Sequence, residues 1–189
     1  MKKTITAIAF CMLSACSPTP TETLIALSQF DLLTADYAQM GARIEHPTGI
    51  EIQPGGALIL LQASRGDGTD LAETIPLTAT ANKTVGDFAK TVTDFAIAPN
   101  DVAQIETFRT QVSAWEDDGH DFSGSVTVSV QGCKSGTLPD GPLLTSVKLK
   151  LSDETGYLPF RKDIDLRELT KAHLNTAKGI VDVDSCEDR

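Results

Sequence analysis

Hydrophobic residues recur every three or four positions in one segment near the middle of the chain, which is the spacing of an amphipathic helix. Pro99 precedes this segment and suits a first helical position, and Gly119 follows it as a typical residue after a helix end. The apolar positions are Val102, Ile105, Phe108, Val112 and Trp115. This pattern predicts one marked helix over about 99–118, with its apolar stripe packed on a sheet.

Other segments alternate apolar and polar residues, as a β-strand with one buried face does. Three of them, at 126–130, 147–151 and 158–166, follow one another with turn residues between them. We expect these three to form an antiparallel meander. Residues 41–45 and 90–97 are further candidate strands, whereas 24–40 has an ambiguous pattern with some helical spacing.

The run 57–61 is apolar throughout and predicts a strand buried on both faces. Residues 71–79 alternate but contain Pro76, which lacks the N–H that a strand ladder needs, so we expect an edge strand there. Together these segments predict a β-rich α+β domain, with an antiparallel sheet or a sandwich-like arrangement and one marked helix.

The N-terminal segment has the layout of a secretory signal. Lys2 and Lys3 precede an apolar stretch over 5–13, which is too short to cross a bilayer, and small residues then lead to Cys16. The run Leu13-Ser14-Ala15-Cys16 resembles the lipobox of bacterial lipoproteins. That resemblance implies removal of a signal peptide at 1–15, attachment of diacylglycerol to Cys16, and fatty acylation of the new N-terminus. The alternative is an ordinary cleaved signal in which Cys16 is incidental.

Residues 16–28 begin with a Pro/Thr-rich stretch and are expected to be a tether, followed by a single globular domain over 29–189. The resemblance also implies a location, because lipoproteins retained in the inner membrane commonly carry an Asp after the lipidated cysteine. Ser17 stands there in this chain. We therefore expect an outer-membrane lipoprotein facing the periplasm, held to the membrane by its N-terminal lipid.

The charge of the chain argues against nucleic-acid partners. Sixteen basic and twenty-six acidic residues give a net charge of −10. Removal of 1–15 subtracts two lysines and no acid, which leaves about −12. Such a surface repels phosphate backbones and anionic lipid headgroups.

Four cysteines are present, and one, Cys11, lies within the predicted signal. If Cys16 carries lipid, Cys133 and Cys186 remain, and an even remainder in an oxidising compartment predicts one disulfide. A redox or metal-binding pair is the alternative, although the chain has no C-x-x-C motif.

An acidic segment after the predicted helix is the first candidate for chemistry. Asp117, Asp118, His120 and Asp121, next to Glu116, could together hold a divalent cation, but their spacing differs from that of a calcium loop and a solvated turn explains them as well. The segment 67–70 also contains Asp and Gly residues, and we expect it to be a tight hairpin turn.

The sequence contains no local catalytic motif and indicates no cofactor. The three histidines, His46, His120 and His173, are far apart and are expected in turns or near the tail. Among the aromatic residues, Trp115 lies on the apolar stripe and is expected in the core, whereas Tyr157 could be exposed.

Three functional hypotheses remain. The first is a non-catalytic binding, structural or assembly protein with a partner in the cell envelope. The second is an envelope hydrolase whose site, lined by His46 or His120 with two carboxylates, assembles only in three dimensions. The third is metal buffering by the acidic segment.

Overall fold

The computed structural model describes residues 19–86, 90–168 and 185–186. The predicted signal peptide, Cys16 and His173 lie outside these residues. The helices are α1 (Thr21–Ser28) and α2 (Val102–Asp117), with a short 3-10 helix at Tyr37–Gln39. The strands are β1 (Gly41–Pro47), β2 (Ile50–Arg65), β3 (Asp70–Val85), β4 (Lys90–Ile97), β5 (Phe122–Lys134), β6 (Leu144–Lys150) and β7 (Tyr157–Asp165).

The strands form one curled antiparallel sheet in the order β5-β2-β3-β4-β1-β6-β7. The prediction of a β-rich α+β fold with an antiparallel sheet and one marked helix is thereby confirmed. Each of the segments expected to be a strand matches a strand of the sheet, although 147–151 and 158–166 each extend one residue beyond the end of the observed strand. The ambiguous segment 24–40 contains the end of α1 and the 3-10 helix.

The predicted meander of the last three strands is wrong in one respect. β6 and β7 form a hairpin, but β5 lies at the opposite end of the sheet and pairs with β2, from Arg65 opposite Phe122 to Ile50 opposite Lys134. Alternation shows which face of a strand is buried, but it does not identify the neighbouring strand. The consecutive strands that do form a meander are β2, β3 and β4.

Pro76 does not mark an edge strand, because β3 lies between β2 and β4. The register explains how the proline is tolerated. Pro76 is the last residue of β3 paired with β2, opposite Leu58, and the pairing with β4 begins at Leu77, opposite Ile97. The proline therefore lies where β3 changes partner, so its missing N–H interrupts neither ladder.

The core lies inside the curl of the sheet, against α2. The buried face of α2 consists of Ile105, Phe108, Val112 and Trp115, which confirms the predicted stripe and the core position of Trp115. The helix begins at Val102, three residues later than Pro99. It ends at Asp117, just before the predicted stop at Gly119, which has φ +76°. The Gly119 N–H donates to the Glu116 carbonyl (2.9 Å) and the His120 N–H donates to the Trp115 carbonyl (2.8 Å).

The tether prediction for 16–28 is wrong from Thr21 onward, because these residues form α1. The helix begins where the amides of Thr23 and Leu24 donate to the Pro20 carbonyl, at 3.0 and 3.1 Å. The Thr23 side chain is fully buried and donates to the carbonyl of Pro159 in β7 at 2.6 Å. Since α1 packs on β7, the domain includes it. No helix among the described residues is long and apolar enough to span a membrane.

Candidate functional site

His46 does not lie in a turn, as the sequence suggested, but inside β1, where only 3% of its surface is exposed. Its Nδ1 lies 3.2 Å from the Pro47 carbonyl, and its Nε2 lies 3.3 Å from the Thr93 hydroxyl. A neutral ring donates through Nδ1 and accepts through Nε2 in this arrangement. Burial lowers the pKa of His46. The side chain is thus a satisfied core histidine rather than part of a catalytic pair.

The proposed metal ligands are not brought together. Asp117, Asp118, His120 and Asp121 are all exposed where α2 ends and β5 begins. Within the residues that the structure describes, no three His, Cys, Asp or Glu side chains are grouped so that they could hold a metal ion. The described geometry therefore gives no support to metal binding at this segment.

The segment 67–70 connects β2 and β3 as the tight turn that the sequence predicts. Arg65 donates to both carboxylate oxygens of Asp67, at 3.0 and 2.7 Å, and the Thr69 amide donates to the same carboxylate at 3.0 Å. These donors hold the pKa of Asp67 well below its usual range. Arg65 and Thr69 therefore already donate hydrogen bonds to the Asp67 carboxylate, and the turn explains this residue without a bound cation.

The predicted disulfide is confirmed. Cys133 and Cys186 are bonded, with 5.0 Å between their Cα atoms. Next to the bond, Ser185 forms an isolated parallel bridge with Lys134. The disulfide thus attaches the C-terminal part of the chain to the end of β5.

A groove lies between the C-terminal half of α1 and the beginning of β5, with a volume of about 490 Å³. We call it the α1–β5 groove. Its polar lining comes from Ser28, Asp31 and Ser125. Its apolar walls are formed by Leu27, Phe30, Leu32, Phe122 and Val126, and Gly124 completes the lining.

The wall that follows α1 is held in place by hydrogen bonds. Asp31 accepts from the Leu33 amide and from the Thr34 hydroxyl, both at 2.8 Å, and these bonds lower its pKa. The buried hydroxyl of Tyr37 donates to the Leu32 carbonyl. The rings of Phe30 and Tyr37 also meet edge to face, with 6.4 Å between their centroids. The groove is therefore preformed, and the Asp31 carboxylate that lines it is already engaged.

Gly124 keeps the β5 side of the groove open. A Cβ atom at this position would meet the Leu32 side chain at 3.6 Å, an ordinary van der Waals contact, so the atoms of a larger side chain would crowd Leu32 at the groove wall. No sequence pattern predicted this groove. The available indication was Gly124, which lies on the inward face of its strand, where the next three inward positions are all valines.

The described residues that line the groove carry hydrophobic, hydroxyl and carboxylate side chains. These side chains can bind an apolar group and offer hydrogen bonds at the margin of the groove. The chain matches no protein-family model, and neither a curated protein nor a solved structure matches it.

Proposed function

We propose that this chain is a lipid-anchored protein of the cell envelope, located at the outer membrane and facing the periplasm, that binds an apolar part of an envelope partner in the α1–β5 groove. The observation that carries the proposal is the groove itself, with five apolar side chains on its walls. Its volume falls within the range of about 300–1,000 Å³ that is common for ligand sites.

Two features support the envelope location. The first is the lipobox-like run that ends at Cys16. The second is the Cys133–Cys186 disulfide, a bond that persists in oxidising compartments such as the bacterial periplasm. Both the lipobox-like run and the disulfide are consistent with a protein in the periplasm.

The proposed anchor also restricts where the partner can be. A chain from Cys16 to Thr21 reaches at most about 18 Å when fully extended. The eight residues of α1 add about 12 Å along the helix axis. Lipidation at Cys16 would therefore keep the groove within a few nanometres of the membrane surface, so the partner is a membrane component or a protein close to the membrane.

The hydrolase alternative has less support. It requires a histidine with carboxylates in a pocket, whereas His46 contacts a carbonyl and a hydroxyl and His120 is exposed. Among the described residues, no histidine lines the groove. We therefore retain binding as the proposed activity.

The test is capture of a stoichiometric partner from native membranes by the full lipidated protein and by two glycine variants. Gly124→Leu fills the groove, whereas Gly66→Leu places the same side chain in an exposed turn where nothing lies within 4 Å. We expect the Gly66 variant to capture the partner as the wild type does and the Gly124 variant to lose at least nine-tenths of it. Equal capture by both variants would place partner binding elsewhere.

The lipid anchor needs a separate measurement. The N-terminal peptide of the native protein should begin at Cys16 and carry the mass of diacylglycerol and a further acyl chain, and Cys16→Ser should abolish the added mass. A native protein that begins elsewhere, or that carries no lipid, contradicts the anchor and leaves the groove experiment valid.

A further inference from the structure

The two edges of the sheet differ in how well they are protected from pairing with another strand. At the β7 edge, the Thr23 hydroxyl of α1 donates a hydrogen bond to the Pro159 carbonyl. The register of β7 against β6 also shifts twice, and Asp163 has φ +50°. Proline, irregular backbone, charged residues and a covering element all discourage strand addition. The β7 edge is therefore closed to a further strand.

The β5 edge differs, because among the described residues α1 and the segment after it leave an open groove beside the beginning of this strand. β5 is thirteen residues long and pairs with β2 along its length, with one register shift that arises in β2. From Phe122 to Cys133 it contains neither a proline nor a charged residue. In the part of the chain that the structure describes, the other contact recorded along its outer edge is the bridge between Lys134 and Ser185 at its end. An uncharged edge of this length is a template for a further strand.

The charge of the protein indicates which strand fits. Two copies of a chain with net charge −10 repel one another over most of their surfaces. Along β5 the solvent-facing row is neutral. It consists of Ser123, Ser125, Thr127, Ser129 and Gln131. The β5 edge is thus a strip along which two copies can approach without placing carboxylates opposite one another.

The sequence of β5 is also complementary to itself. We propose that a second copy of this chain pairs with β5 in antiparallel register about Thr127, joining two seven-stranded sheets into one. On the inward row, this register places Phe122 opposite Gly132 of the second copy and Gly124 opposite Val130. Large residues thus face small ones, and an aromatic ring covers a glycine across the strands, an arrangement that stabilises glycine-containing strands.

The same register agrees with the rest of the edge. Val126 and Val128 face each other across the two copies, which continues the apolar surface inside the curl. Pairing over 122–132 also ends before Lys134, where Ser185 already lies. Since Val130 of the second copy would lie next to Gly124, each copy would contribute to the wall of the other copy's α1–β5 groove.

This inference concerns association and does not depend on the lipid anchor or on a partner in the groove. A contact between eleven residues of each copy is small, so the dimer is expected to dissociate in the micromolar range. The association is measured by sedimentation of the full protein in density-matched detergent, for the wild type, Thr127→Lys and Gln62→Lys. Thr127→Lys places two like charges directly opposite each other across the proposed contact. Gln62→Lys is the control, because it adds the same charge on β2, where Gln62 pairs with Ser125 of β5, one strand away from the proposed contact.

We expect Thr127→Lys to raise the dissociation constant at least tenfold and Gln62→Lys to change it less than twofold. Circular dichroism and the urea midpoint verify that both variants fold. The register is tested by oxidising an equimolar mixture of Ser125→Cys and Ser129→Cys, which should cross-link more than either variant alone. The proposal is overturned if the wild type is still monomeric at about 100 μM, or if Thr127→Lys leaves the dissociation constant of the dimer unchanged.

Discussion

Arg43 and Asp94 lie opposite each other on β1 and β4 and form a two-pronged salt bridge, with 2.6 Å from Nε to Oδ1 and 2.8 Å from Nη2 to Oδ2. The Tyr157 ring, at the start of β7, lies against the guanidinium, 4.0 Å from its carbon atom to the ring centroid. This contact uses the flat guanidinium twice, as a hydrogen-bond fork and as a cation on an aromatic face. It also shows that Tyr157 is engaged within the sheet.

The Arg43–Asp94 pair should stabilise the fold in a pH-dependent manner. Hydrogen bonds from Arg43 lower the pKa of Asp94 below its ordinary value of 3.8. A carboxyl with a lowered folded-state pKa contributes its stability above the unfolded value and loses it as the pH falls through the folded value. We expect Asp94→Asn to lower the free energy of unfolding by about 1–2 kcal/mol at neutral pH. The difference from wild type in urea titrations should shrink below about pH 4; a difference that is constant with pH would contradict this origin.

His46 should make the protein less stable in mild acid. Its pKa is lowered by burial, so the unfolded chain takes up a proton at higher pH than the folded chain does. Stability is therefore complete above the unfolded value of about 6.5 and falls as the pH decreases toward the folded value. We expect His46→Gln to reduce the loss of thermal stability between about pH 7.5 and pH 5. His120→Gln, at an exposed histidine, is the matched control and should leave the loss unchanged; an equal effect of both variants would refute the assignment to His46.

Local patterns predicted the elements of this fold better than their arrangement. The spacing from Val102 to Trp115 located α2 and its buried face, and Gly119 located the end of the helix. These features depend on residues close in sequence. The valines of β5 likewise revealed a strand and its inward face. The pairing of β5 with β2 leaves no local pattern, because the paired residues are far apart in sequence, from Arg65 with Phe122 to Ile50 with Lys134.

The positions of single polar residues were harder to predict for a different reason. His46 and Pro76 were interpreted from what their residue types usually do, as an exposed histidine and an edge proline. Each is tolerated through one specific neighbour, the Thr93 hydroxyl for His46 and the change of strand partner after Pro76. The α1–β5 groove was missed because its walls come from residues about ninety-five positions apart. Cys133 and Cys186 are also far apart in sequence, at a separation of 53 residues. Their pairing could nevertheless be predicted, because they were the only two cysteines expected to carry free thiols.

The disulfide should contribute a large part of the stability. It joins residues 53 positions apart, and loop closure of that length corresponds to about 4 kcal/mol as an upper value. Cys186→Ala removes the bond and leaves the fully buried Cys133 side chain in place. Without reductant, we expect the free energy of unfolding of Cys186→Ala to be about 2–4 kcal/mol lower than that of the wild type. With reductant the two proteins should be equal, and a wild type that is insensitive to reductant would show that the bond does not support the fold.

Tyr37 should control the stability of the groove wall. Its hydroxyl supplies a hydrogen bond to the Leu32 carbonyl inside the protein, so Tyr37→Phe leaves that carbonyl without its donor. We expect a loss of about 1–2 kcal/mol at neutral pH and faster amide hydrogen exchange over 29–36, with little change in β6.

The same contact predicts how the protein responds to alkali. Burial raises the pKa of Tyr37 to about 12, so the folded chain keeps the phenol proton after the unfolded chain has lost it. The stability from this difference is complete below the unfolded pKa of about 10 and is lost as the pH rises toward the folded value. The gap between wild type and Tyr37→Phe should therefore narrow between about pH 10 and pH 12 in denaturant titrations. A gap that widens in alkali would contradict the assignment of Tyr37 as a buried neutral phenol that donates to the Leu32 carbonyl.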